Sequence, residues 1–254
     1  MDLEQNLKQE NNIKYEKKGF LKPLFLTAAV LSLPFDLKTE TPKNYQPEAN
    51  KYEVIANEQE HGNDAYSYSE LEKITTPKWT MQGRVERAKR FDNLFKKYES
   101  KYDMPEGLLA GLAMQESYGE PLKLNSSGDG GAGLMQMQPG TAIWLGLEIY
   151  GNGVNTGVDL VNGRELKEMV RRNNNDLDLI MKKDERFDPE KSIEAAAKFL
   201  NWQYERFGDW HSALSAYNRG IPAANPLSTV HVNRTLESKH AYNNNSYHLL
   251  AENK

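Results

Sequence analysis

With 254 residues, 38% of them hydrophobic, and a mean hydropathy of −0.77, the chain can build one good core and still leave much of its length outside it. A net charge of −4 and a pI near 5.8 argue against nucleic acid as the main partner, because phosphate binding calls for a basic surface. Cysteine is absent, which excludes disulfides, a thiol nucleophile and thiolate metal sites.

Residues 1–13 are polar. Lys14, Lys17, Lys18 and Lys22 then precede an uncharged apolar run from Leu24 to Phe35. That run is short for a bilayer span but suits the apolar stretch of a secretory signal. Residues 1–36 are therefore read as a signal peptide or membrane anchor, and export to the periplasm or cell envelope is expected. No small-residue cleavage site follows Phe35, so cleavage stays open, as does an interfacial anchor or a segment packed on the domain. Residues 37–80, rich in Glu, Lys, Asn and Thr with Pro42, Pro47 and Pro77, read as a flexible, disordered linker.

From residue 81 the pattern turns periodic. Val85, Ala88, Phe91, Phe95, Tyr98 and Tyr102 recur at helical spacing and predict one helix with an aromatic core face. The next helix has start signals in Asp103, Pro105 and Glu106. Leu108, Leu109 and Leu112 share a face, and Glu116 projects from that same stripe. A carboxyl group held against apolar neighbours loses hydration, which favours its protonated form and equips it as a general acid. Gly119 suits the helix end.

A glycine-rich loop follows, expected to be a flexible cleft wall. Gly128-Asp129-Gly130-Gly131-Ala132-Gly133 matches the G-x-G-x-x-G spacing of dinucleotide binding. A helix precedes it where that fold needs a strand, and Pro139-Gly140 interrupts any helix opening at the last glycine, so the reading is rejected. A short helix is predicted over Thr141–Leu145, with further helices around Leu166–Val170 and Leu177–Met181. The acids of the 151–163 loop do not follow calcium-ligand spacing, and no metal or cofactor is assigned.

Asp188-Pro189 opens a strong helix ending at Gly208, and Asp209 caps the next, which breaks at Asn218-Arg219-Gly220. Residues 227–254 are read as a frayed C-terminal tail. His211, His231, His240 and His248 show no ligand spacing and are taken as surface or structural.

Glu116-Ser117, Ser126-Ser127, Gly131-Ala132-Gly133-Leu134-Met135-Gln136, Pro139, Thr141-Ala142 and the later Ala216-Tyr217-Asn218-Arg219-Gly220 together resemble the catalytic domain of soluble-type lytic transglycosylases. The resemblance spans Arg84 to Pro226 and places a catalytic domain at 81–226, in which the stretch 146–186 is long relative to the family and is read as an insertion. It implies a mostly α, goose-lysozyme-like fold acting on the glycan strands of peptidoglycan without a cofactor. It also implies that Glu116 is the single acid and base, that Tyr217 orients it, and that Asn218 binds substrate. Met135 and Gln136 would line the glycan subsites, and Ser126 or Ser127 would stand for the family's loop serine. Gln138 replaces the usual Met of that subsite. The segment between Glu116 and Gly133 is slightly longer than the family pattern, and Arg219 stands for the commoner Ala. The expected product carries a 1,6-anhydro end. The alternatives are a goose-type lysozyme, which would use water, and a non-catalytic glycan-binding wall module, for example in envelope-spanning machinery. Membrane association, if any, would run through residues 24–35.

Overall fold

The computed structural model describes residues 73–151 and 160–244. The expected signal or anchor segment and the expected linker up to residue 72 lie outside them. The described residues form nine α-helices, two 3-10 turns and no β-strand, as the mostly α expectation requires.

The first surprise is a break in the predicted aromatic helix. The chain forms α1 (Met81–Lys89) and α2 (Asp92–Lys101), with Phe91 at φ −105°, ψ 14° between them. Phe91 and Phe95 are both buried in the core, where their rings meet edge to face at 6.3 Å. The end of the predicted linker is also bound to the domain. The Arg87 guanidinium donates to the carbonyls of Ile74 and Thr76, so residues 73–80 lie across α1.

Helix α3 (Leu108–Ser117) carries Leu108, Leu109, Leu112 and Met114, all buried. Its start differs from the sequence reading. Asp103 has φ 50° and lies upstream of the cap, while Gly107 takes the N-cap position at φ 76°. The capping carboxylate comes from α2. Glu99 accepts from the backbone of Gly107 at 2.8 Å and Leu109 at 2.7 Å. A cap supplied from another helix satisfies the same orphan N–H groups as a local one, but leaves no local motif in the sequence.

Helices α4 (Pro139–Trp144), α5 (Leu160–Arg172) and α6 (Leu177–Met181) follow. The stretch 146–186 supplies a small second core, with Leu166, Met169, Val170, Leu177 and Ile180 packed against Ala132 and Phe187. Helices α7 (Pro189–Phe207) and α8 (Trp210–Arg219) start and end as their capping residues predict. Asp188 and Asp209 accept from Lys191 and Ser212 N–H, and Gly208 and Gly220 close them at φ 80°.

The expected frayed tail is instead helix α9 (Val230–Asn244). It runs antiparallel to α3 in near contact. A Cβ on Gly111 would come within 2.6 Å of the Thr235 carbonyl, and one on Gly107 within 2.1 Å of the Asn243 side chain. Val232, Thr235, Ser238, Ala241 and Tyr242 face inward. These residues are mostly small, which permits the close approach and also hides the helix from a hydropathy reading.

Candidate active site

Glu116 occupies the last turn of α3. The chain must leave that helix sharply, and it does so through two left-handed residues, Tyr118 at φ 63° and Gly119 at φ 79°. Glycine is needed at 119 because a Cβ there would meet Arg87 Cβ at 2.8 Å. The Glu116 side chain keeps 16% of its surface exposed, so it is shielded yet reachable from solvent. Its surroundings are not simply apolar. Oε1 lies 2.8 Å from Nε2 of His231, in the first turn of α9. His231 was classed as surface or structural from sequence, and the structure corrects that to a direct partner of the candidate acid.

The other acids near this helix end are engaged elsewhere. Glu120 pairs with Lys78 at 2.9 Å and approaches Arg87 at 3.9 Å. Asp129 is buried, and its Oδ1 accepts from Gly131 N–H at 3.1 Å.

The glycine-rich loop, expected to be flexible, is pinned at many points. Asn125 N–H donates to Gly131, Gly133 N–H to Lys123, and Ala132 and Met137 exchange both backbone bonds. From the other side Arg186 reaches in, fully buried. Its guanidinium takes both oxygens of Asp184 at 2.9 and 2.7 Å, and donates to the carbonyls of Gly130 at 2.8 Å and Met137 at 3.3 Å. A buried bidentate pair with its remaining protons on carbonyls meets the geometric conditions under which such a pair can be sustained. The 146–186 stretch thus supplies the clamp that shapes this wall.

The loop residues singled out from sequence divide into three groups. Ser126 and Ser127 are exposed, and the Ser127 hydroxyl donates to Asn125 Oδ1 at 2.9 Å. Gln138, at the start of α4, is half-buried and lies with Asn125 and Asp129 around Gly131. Met135 is different: the residue is fully buried in the main core and presents no surface to a ligand in this conformation. The Gln136 amide donates to the carbonyls of Lys123 at 3.0 Å and Gly133 at 2.9 Å, so it serves first to hold the loop. That residue itself sits at φ 49°.

Tyr217 and Asn218 end α8, both half-buried. The Tyr217 hydroxyl donates to the Met135 carbonyl at 2.9 Å, which ties α8 to the loop. Burial, reinforced by the nearby Glu116 carboxylate, pushes the Tyr217 phenol well above its ordinary range and keeps it a hydrogen-bond donor. The direct hydrogen-bond contact with Glu116 is made by His231, while the Tyr217 hydroxyl is bound to the Met135 carbonyl.

An aromatic wall extends outward from Tyr217, and the sequence reading missed it. Phe199 lies 5.4 Å from the Tyr217 ring, Trp202 5.9 Å from Phe199, and Trp144 5.1 Å from Trp202. Trp144 is 37% exposed beside exposed Ile143. Phe199 and Trp202 stand three apart on α7, a spacing that could have flagged them. Nothing in the sequence brings Trp144 of α4 to them. Among the described residues, no group of three or more His, Cys, Asp or Glu side chains could hold a metal ion.

No curated protein and no solved structure matches the chain. A family model of the transglycosylase SLT domain does match, over residues 93–162 and 161–226. Those stretches take in Glu116, the pinned loop and the Tyr217-Asn218 turn, and cover more than half of the chain. The chain belongs to the transglycosylase SLT domain family, a family of glycan-cleaving, lysozyme-like helical domains.

Proposed function

We propose that the protein is a peptidoglycan lytic transglycosylase that cleaves the β-1,4 bond between N-acetylmuramic acid and N-acetylglucosamine. The observation that carries this reading is the isolation of Glu116. Glu116 is shielded yet reachable, while of the other described acids near this helix end Asp129 is buried in its own loop and Glu120 is paired on the α1 side. Glycosidases that add water across the bond ordinarily place two carboxylates on it. A single carboxyl group suffices when the substrate supplies its own nucleophile.

In the proposed reaction Glu116 protonates the bridging oxygen as the C1–O bond breaks. The N-acetyl group of the muramyl residue stabilises the cationic C1. Glu116, now a carboxylate, takes the proton from the muramyl C6 hydroxyl as that oxygen bonds to C1. The proton balance closes with no water consumed, and the product ends in a 1,6-anhydro ring. The aromatic wall from Tyr217 to Trp144 suits the apolar faces of sugar rings, and Asn218, Ser126, Ser127 and Gln138 suit their hydroxyl and acetamido groups. Such work lies outside the cytoplasm, and residues 1–36 are the proposed export signal or anchor. No helix of the described residues is long and apolar enough to cross a membrane.

The test is the mass of fragments released from purified sacculi. Anhydro-ended muropeptides, one water lighter than hydrolysis products, are expected. Fragments carrying the extra water would identify a lysozyme-type hydrolase, and binding without release would identify a glycan-binding module.

A further inference from the structure

The contact between α3 and α9 brings together two side chains that lie 115 positions apart, Glu116 and His231. The histidine is beyond the residues matched by the family model, which stop at 226. Both side chains are largely covered, at 16% and 12% exposure, with Nε2 and Oε1 2.8 Å apart. The other ring nitrogen, Nδ1, is buried and has no hydrogen-bond partner among the described residues. This asymmetry favours one tautomer. A buried N–H without an acceptor is costly and rare, whereas a bare lone pair is better tolerated. Nδ1 therefore carries the lone pair and Nε2 the proton. With Nε2–H as the donor, Oε1 of Glu116 can only accept.

We propose that His231 is the positioning residue of the catalytic acid: its Nε2–H holds Oε1 of Glu116 and confines the transferable proton to Oε2. This rests on the reading of Glu116 as the acid. Without such a partner, the carboxyl group could rotate at the end of its side chain and present either oxygen. With it, one oxygen is held by the protein and the other is left for the glycosidic oxygen and then for the C6 hydroxyl. The fold secures the histidine in turn. Its carbonyl accepts from the Thr235 hydroxyl at 2.9 Å, and Thr229 closes the start of the helix through Val232 N–H.

Two conservative substitutions separate positioning from folding. In His231→Gln the amide nitrogen can take the place of Nε2 and donate to Oε1. In His231→Asn a shorter amide matches Nδ1 and falls short of it. The expected result is a kcat lowered roughly 10–100-fold in His231→Asn, with KM and melting temperature close to wild type, and most of the loss recovered in His231→Gln. Equal kcat in wild type and His231→Asn, or an equal loss in both variants, overturns the proposal. Imidazole nitrogen NMR on the full chain gives a readout independent of activity. It should show His231 as the Nε2–H tautomer, with the Nε2 signal perturbed by Glu116→Gln. A proton found on Nδ1 overturns the proposal even if the enzyme is a lytic transglycosylase. Hydrolytic products, or none, with the tautomer as stated overturn the reaction reading and leave this contact standing.

Discussion

The carbonyl oxygen of Arg186 occupies the space in which any side chain on residue 133 would begin, since a Cβ on Gly133 would lie 1.8 Å from it. Gly133 also sits at φ 79°, where side chains are strained. The same arginine contributes its guanidinium to the carbonyls on either side, at Gly130 and Met137. Gly133→Ala should therefore lower stability by about 2–4 kcal/mol, combining backbone strain with forced separation of the clamp. Urea unfolding of the purified domain measures this. A change within about 0.5 kcal/mol would show that the clamp yields readily.

Glu116→Gln keeps an oxygen able to accept from His231 and loses only the transferable proton. Turnover of sacculi is expected to fall by roughly 10²–10⁴-fold, equivalent to about 3–5 kcal/mol of barrier, with an unchanged melting temperature. Wild-type rates in this variant would remove Glu116 from the chemistry.

Trp144 is the exposed end of the aromatic wall and makes its contacts with Phe199 and Trp202 through ring edges. Removing it should weaken glycan binding while leaving the proton chemistry at Glu116 alone. For Trp144→Ala we expect KM to rise by roughly 2–10-fold, the equivalent of one aromatic stacking contact, with kcat near wild type. A fall confined to kcat would place Trp144 outside the binding path.

Glu99 links stability to pH. Burial pushes its carboxyl from the ordinary 4.5 up to about 7, although the N–H groups of Gly107 and Leu109 oppose the shift. Between those two pH values the folded chain retains a proton that the unfolded chain has released. The stability contribution is thus complete below the lower value and is lost as pH rises through about 7. The full swing is on the order of 3 kcal/mol. Glu99→Gln, which imitates the protonated form, should flatten the pH dependence of the unfolding free energy across this window. An unaltered slope would assign that dependence to other groups.

Much of this was legible before the structure. Asp188-Pro189, Gly208, Asp209 and Gly220 marked the bounds of α7 and α8, because capping is local chemistry written within a few residues. Glu116 and the Gly-Leu-Met-Gln and Ala-Tyr-Asn runs marked the candidate site through their family resemblance. Other features were hidden because they depend on partners distant in the chain. The cap on α3 comes from Glu99 and the loop clamp from Arg186, neither of which leaves a signature where it acts.

Helix α9 shows the limit most clearly. Residues 232, 235, 238, 241 and 242 do recur at helical spacing, but as Val, Thr, Ser, Ala and Tyr they lack the apolar weight that would mark a core face. By itself the sequence determined the mostly helical composition, the ends of α7 and α8 and the candidate acid, all properties of short stretches. Only the tertiary structure decided what stands beside that acid. Small side chains let α9 press against Gly111, and this close backbone approach brings His231 to Glu116.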